Sequence, residues 1–190
     1  SDVCSSDLAA GEARYALAWA EPDAGALFEG ARTRAVASGD GWRMSGRKAV
    51  VSAAPWATDL LVTARTSGTA GERGGISLFR VDPAAPGVTL HAYRTIDDRQ
   101  AAEIVFDEVA LPASSLIGAE GDALPALEAA GDAAIAALAA EAVGVLRRLI
   151  QDTIDYLGQR RQFGQPLAQF QALQHRVVDM YLQLQLATSA

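Results

Sequence analysis

At 190 residues the chain can hold one large domain or two small ones, and its 50% hydrophobic content excludes a compositionally disordered protein. Sixteen Lys and Arg against 23 Asp and Glu leave a net charge of −7, which excludes the clustered basic surface that nucleic-acid phosphates require. The lone cysteine, Cys4, excludes an internal disulfide, and two histidines with one cysteine leave no zinc cluster, so a reducing, cytoplasmic setting is expected.

Residues 1–13 read as a disordered or artefactual tail. Ser1 to Leu8 is polar, fits no following pattern and is similar to a translated adaptor remnant. The absence of an initiator Met, and a helical pattern still running at Ala190, give the expectation of a fragment. Residues 14–117 read as a β domain. Arg14 to Ala20 is an apolar run closed by Glu21-Pro22-Asp23. Ala31 to Ala37 meets the hairpin signal Ser38-Gly39-Asp40-Gly41. Trp42 to Ser45, Lys48 to Ser52, Asp59 to Ala64, Ile76 to Val81, Val88 to Tyr93 and Glu103 to Val109 follow as further strands. Strands at this spacing, without helices between them, predict an antiparallel β-barrel or sandwich.

Residues 118–190 read as the first helices of an antiparallel helical bundle, incomplete within this chain. The overall class is therefore α+β. Ile135, Leu138, Ala142, Val145, Leu146 and Leu149 form one predicted stripe, with Glu141, Arg148, Asp152, Asp155 and Gln159 on the wet face. Gly144 inside this helix costs about 1 kcal/mol against Ala, and a close helix–helix approach is the expected compensation. The helix is predicted to stop near Phe163-Gly164-Gln165-Pro166 and a second to start around Gln169, with Phe170, Leu173, Val177, Met180, Tyr181 and Leu184 as its stripe. No membrane span is expected, because Glu128, Asp132 and Glu141 interrupt the alanine-rich stretch.

Read without analogy, the residues show no catalytic signature: no Walker loop, no GxGxxG after a strand and no GxSxG. His91 and His175 read as surface residues, and Asp97-Asp98-Arg99 as a charged turn.

The segment Tyr156-x3-Arg160-x-x-Phe163-Gly164-x-x-Leu167-x-x-Phe170-Gln171 resembles the motif joining two helices in the acyl-CoA dehydrogenase family. Leu17-Ala-Trp19-Ala20-Glu21-Pro22-x-Ala24-Gly25 resembles that family's strand and turn ending in T-E-P-x-A-G. Gly41-Trp42-x-x-Ser45-Gly46-x-Lys48 resembles its hairpin, and Val105-Phe106-Asp107-Glu108-Val109-x-x-Pro112 its later strand. Within the family, Glu141-Ala-Val-Gly144 and Tyr93-Arg-Thr-Ile-Asp97 are most similar to the pimeloyl-CoA dehydrogenase small-subunit group.

The resemblance implies a flavoprotein oxidoreductase of fatty acid metabolism. It would use FAD to dehydrogenate an acyl-CoA at the α,β bond and pass electrons to an electron-transfer flavoprotein, within a homo- or hetero-oligomer. Backbone groups around Leu17, Trp19 and Ala20 would face the flavin ring, and Ser52 would donate a hydroxyl hydrogen bond. Arg160, Phe163 and Gln171 match positions that reach a neighbouring subunit's FAD. No catalytic residue is expected in this chain: one family position of the glutamate base aligns with Ala134, and the other lies beyond Ala190. The Arg beside the first position aligns with Ile135, the Thr before Glu-Pro is Ala20, and the Ser after Ala-Gly is Ala26. These departures leave two alternatives: a flavin oxidase or monooxygenase on the same fold, or a non-catalytic partner subunit.

Overall fold

The computed structural model describes residues 3–22, 24 and 27–189; Gly25 and Ala26 of the Glu-Pro-x-Ala-Gly stretch, and Ala190, lie outside the described residues. The expected disordered tail is instead led by a short helix, α1 (Val3–Ala10). The turn after it is closed by Gly11 at φ 75° and by Glu12 and Ala13 N–H groups donating to the Asp7 carbonyl at 2.9 and 3.1 Å. Arg14 then ties the chain to the β sheet, its Nε donating to the Trp56 carbonyl at 2.7 Å and its carbonyl accepting from Thr58 N–H at 2.8 Å.

Eight strands follow: β1 (Tyr15–Ala18), β2 (Arg34–Ser38), β3 (Gly41–Ser52), β4 (Asp59–Arg65), β5 (Ile76–Val81), β6 (Val88–Arg94), β7 (Gln100–Pro112) and β8 (Leu116–Ile117). They form one sheet in the order β6-β7-β3-β2-β4-β5-β8, with β1 paired to β4. Most pairings are antiparallel, as expected, but β4 runs parallel to β1, from Tyr15↔Asp59 to Ala18↔Val62, and to β2 at Arg34↔Arg65. Val88 and Leu90 from one end of the strand order and Leu116 from the other pack against the same buried cluster, so the sheet wraps around a single core.

The β3–β7 ladder carries two register slips. Met44↔Val109 is followed by Gly46↔Phe106, placing an extra residue on β7, and Lys48↔Ile104 is followed by Val51↔Ala102, placing one on β3. Each slip coincides with a non-glycine residue at positive φ, Glu108 at 49° and Val50 at 52°, the left-handed conformation that a G1-type bulge usually gives to glycine. The second slip undoes the first, so Ser52↔Ala101 resumes the register of Gly41↔Pro112.

The last strand ends at Ile117 and helix α2 (Leu124–Gln159) begins seven positions later, inside the predicted helical region. The chain divides into two compact units, residues 1–127 and 128–190. In the first, Ala123, Leu124 and Leu127 bury against Ile76. In the second, α2 continues to Gln159, and α3 (Gln171–Ser189) carries Leu173, Val177, Met180 and Leu184 at buried or half-buried positions, on the predicted stripe. The stripe predicted on α2 is corrected. Val143, Leu146, Ile150, Thr153 and Leu157 are its covered positions, while Ile135, Leu138, Val145 and Leu149 stay exposed, Ile135 at 66%. At 3.6 residues per turn the two rows lie roughly 80° apart around the helix. No atom lies within 4 Å of the place a Cβ would take at Gly144, so no close approach within the described chain explains that glycine. By length and hydropathy alone α2 is apolar enough to cross a membrane, a window of it averaging 1.6, which the scattered acids do not prevent.

Candidate functional site

The family-matched residues fall into two groups, one in each unit. In the β unit, alternation along β1 buries Ala16 and Ala18 and leaves Leu17 exposed on the opposite face. Beyond Ala18 the chain leaves β4 and turns towards β3. The Ala20 carbonyl accepts from Ala49 N–H at 2.8 Å, and the Trp19 carbonyl accepts from Lys48 Nζ at 3.4 Å. The Trp19 ring lies tilted on Phe28 with centroids 5.1 Å apart, so Trp19 and Ala20 are half-buried and held on three sides. Ser52 is the last residue of β3. Regular alternation from Lys48 would face it inward; the extra residue at Val50 buries Val51 instead and turns Ser52 to the surface. Its hydroxyl has no hydrogen-bond partner among the described residues.

Beneath this segment lies a buried polar cluster that the sequence reading did not single out. Lys48 is 0% exposed, and its ammonium donates to Glu21 Oε1 at 2.7 Å, Thr63 Oγ1 at 2.9 Å and the Trp19 carbonyl. Three protons meet three acceptors. Glu21 in turn accepts from Thr33 N–H at 3.0 Å and Arg32 N–H at 2.8 Å, which ties the Glu-Pro turn to the strand entry of β2. Burial pushes Lys48 down to about 8, against the opposing pull of the Glu21 charge. Burial pushes the Glu21 carboxyl up, but the Lys48 charge and hydrogen bond, with the hydrogen bond from Thr33 N–H, outweigh it and hold the group below the ordinary carboxylate value. The sequence signal was present: Glu21 and Lys48 both stand in quoted motifs, yet no spacing rule links positions on separate strands.

In the helical unit, α2 stops at Gln159, earlier than the predicted Phe163–Pro166 stop. Arg160 N–H still donates to the Tyr156 carbonyl at 2.9 Å, and then a two-residue hairpin intervenes, β9 (Arg161–Gln162) against β10 (Gln165–Pro166). Its turn residues, Phe163 at φ 54° and Gly164 at φ 80°, both occupy the left-handed region, the geometry of a type I′ turn. Glycine accepts that geometry freely; phenylalanine does not, and its ring projects from the turn 91% exposed, edge-on to Phe170 at 6.1 Å. The two adjacent arginines differ. Arg161 reaches the Gly164 carbonyl at 3.4 Å across the hairpin, whereas the Arg160 guanidinium has no partner among the described residues. The Arg160 carbonyl accepts from Leu167 N–H at 2.8 Å, fixing its backbone at the helix end. Gln171 opens α3 and is exposed.

The remaining candidates stay ordinary. His91 is exposed on β6 opposite Glu103, and His175 is exposed on α3. Asp97, Asp98 and Arg99 form a charge-paired turn, with Arg94–Asp98 at 2.7 Å and Arg99–Asp97 at 3.1 Å. Ala134 and Ile135 lie exposed on α2. No group of three metal-ligating side chains comes together among the described residues.

Residues 16–109 match the acyl-CoA dehydrogenase middle domain, and residues 133–190 match the acyl-CoA dehydrogenase C-terminal domain. Among curated relatives, the probable acyl-CoA dehydrogenase YngJ of Bacillus subtilis is 32% identical over 183 residues, which is 95% of this chain and 48% of YngJ. Among solved structures, a probable acyl-CoA dehydrogenase from Mycobacterium abscessus superposes with a TM-score of 0.89 at 27% identity, covering 100% of this chain and 52% of that one. An FAD complex of PigA superposes with a TM-score of 0.84 at 32% identity, over 94% of this chain and 47% of that one. The chain thus spans about half the length of the relatives it matches. With both halves of the described architecture matched in order to the same family, the chain belongs to the acyl-CoA dehydrogenases.

Proposed function

We propose that this chain is the middle β domain and first C-terminal helices of a flavoprotein that dehydrogenates an acyl-CoA thioester at the α,β bond, with FAD as cofactor. The observation that carries the reading is the pair of arginines at the helix end: Arg161 reaches into its own hairpin, while Arg160, the position of the family motif, offers a guanidinium with no partner among the described residues. A planar fork of donors suits the two oxygens of a pyrophosphate.

Two sets of residues would serve FAD. Leu17, Trp19 and Ala20 would offer backbone groups to a flavin ring and Ser52 a hydroxyl without a partner among the described residues, while Arg160, exposed Phe163 and exposed Gln171 would reach a neighbouring subunit's FAD. Bound FAD would supply the hydride sink; the chain would supply alignment. Ala134 stands at the first family position of the catalytic base, and the chain by itself is expected to be inactive on acyl-CoA. The whole protein is read as a cytoplasmic homo- or hetero-oligomer passing electrons to an electron-transfer flavoprotein. The resemblance of Tyr93–Asp97 and Glu141–Gly144 to the pimeloyl-CoA dehydrogenase small-subunit group supports placing the whole protein in that group.

The test is FAD retention by the intact protein on dilution. A charge-assisted hydrogen bond contributes about 1.5–3 kcal/mol, so Arg160→Ala weakens FAD binding roughly 10- to 150-fold. Arg160→Lys recovers only part, because an ammonium lacks the fork. Arg161→Ala leaves FAD affinity near wild type. Equal losses in the two alanine variants, or a larger one at Arg161, would overturn the assignment.

A further inference from the structure

The Lys48 cluster asks for an explanation beyond packing. A buried ion pair is weak evidence for stability, because desolvating two charges offsets most of their attraction. This one sits directly under the segment read above as facing the flavin, and its third proton goes to a backbone carbonyl of that segment.

The geometry has a directional consequence. No peptide bond among the described residues is cis, so the carbonyl of Trp19 and the N–H of Ala20, which share one planar unit, point in opposite directions. With the Trp19 carbonyl turned to the buried ammonium, the Ala20 N–H is turned away from it. The Ala20 carbonyl is held on the β3 side by Ala49 N–H, so two consecutive peptide planes are set. An ammonium on the carbonyl oxygen also polarises the peptide and strengthens the N–H at its far end as a donor. Arg65 supplies a contrast within the same sheet. It too is buried, but among the described residues its guanidinium donates to the carbonyls of Ala31, Gly74, Glu29 and Glu72, and to no backbone group of the Trp19–Ala20 segment.

We propose that Lys48, anchored by Glu21 and Thr63, is a positioning residue that aims the Ala20 N–H at the edge of the flavin ring. The proposal rests on the flavin reading above and adds a residue that acts on the cofactor through the backbone. An N–H so placed stabilises the negative charge the ring takes up on reduction, so its loss makes the flavin harder to reduce.

The experiment uses the intact holoprotein. Lys48→Met alone leaves Glu21 buried and unpaired and can prevent folding, so Lys48→Met/Glu21→Gln, which removes both charges, is made beside it. In the double variant the flavin reduction potential is expected to become more negative and the visible flavin band to shift. FAD is expected to bind roughly 2- to 10-fold more weakly, the worth of one hydrogen bond. Arg65→Met is the control: it lowers thermal stability at least as much while leaving the potential at the wild-type value. A double variant that loses stability but keeps the wild-type potential and spectrum overturns the proposal, as does an Arg65→Met protein with the same potential shift. A wild-type protein that holds no FAD at all overturns the flavin reading itself, and this proposal with it.

Discussion

Lys48 and Glu21 make the stability of the sheet depend on pH in a direction set by their shifts. A lysine ordinarily titrates near 10.5, and burial pushes Lys48 down to about 8. Between those values the unfolded chain binds more protons than the folded one, so this group makes stability rise as the pH climbs through that window. Glu21 is held below its ordinary 4.5. Its contribution is complete above that value and is lost as the pH falls through the folded one. Urea unfolding at stepped pH should show both limbs in the wild type and a flatter profile in Lys48→Met/Glu21→Gln; an unchanged profile would assign the dependence to other groups. Neither shift was legible in the sequence. Motifs placed Glu21 on a turn and Lys48 on a strand, but their meeting depends on β1 running parallel to β4, a pairing that local patterns do not encode.

At the level of elements, two glycines separate the cost of backbone conformation from the cost of space. Gly164 sits at φ 80° with nothing within 4 Å of the place a Cβ would take, so Gly164→Ala costs only the left-handed penalty, about 1–2 kcal/mol. Gly46 sits at φ 154° with Thr33 Oγ1 2.5 Å and Thr33 Cα 2.6 Å from the corresponding place, and Thr33 itself is fully enclosed by the sheet. Gly46→Ala adds overpacking against backbone and is expected to cost more than about 3 kcal/mol. Thermal unfolding of the two variants checks the order; equal losses would mean that the sheet yields at Thr33. The hairpin also shows where pattern reading stops. Phe163-Gly164 is a correct stop signal for a helix, yet the helix had already ended at Gln159, because here the turn closes a hairpin whose strands take residues 161–162 and 165–166. The strands of the β unit were largely legible, since alternation and Gly-Asp turns are local. The covered row of α2 was not, because two adjacent apolar rows satisfy the same 3.6-residue period.

For the molecule as a whole, that second row matters most. Ile135, Leu138, Val145 and Leu149 present an exposed apolar strip on α2, the kind of contiguous surface that promotes association in water. The 190-residue chain expressed alone is expected to self-associate, and Leu138→Lys/Leu149→Lys to shift it towards monomer on gel filtration. A wild-type chain that elutes as a monomer at high concentration would show the strip to be tolerated in water. The family assignment came from motifs spread over both units, whereas the pairing partners of this strip are not encoded by any motif within them.

The two opposed bulges between β3 and β7 separate two properties that sheets usually keep together: which residues are neighbours, and which way they face. One slip followed by its reverse works like a frameshift and its suppressor, so alignment at both ends of the ladder is conserved. Direction is not conserved in the same way. An unslipped ladder that kept Val50 in regular alternation would also join Gly41↔Pro112 to Ser52↔Ala101, yet it would turn Ser52 into the core and Val51 out of it. Deleting Val50 and Glu108 together excises only the residue that each slip sets aside, so pairing and facing both survive. In a Cys4→Ala background, Ser52→Cys should react readily with a thiol reagent in the full chain and in the double-deletion chain alike; protection in the latter would show that the ladder had re-paired. The ladder can therefore lose two residues and still close with the hydroxyl at its end facing outward.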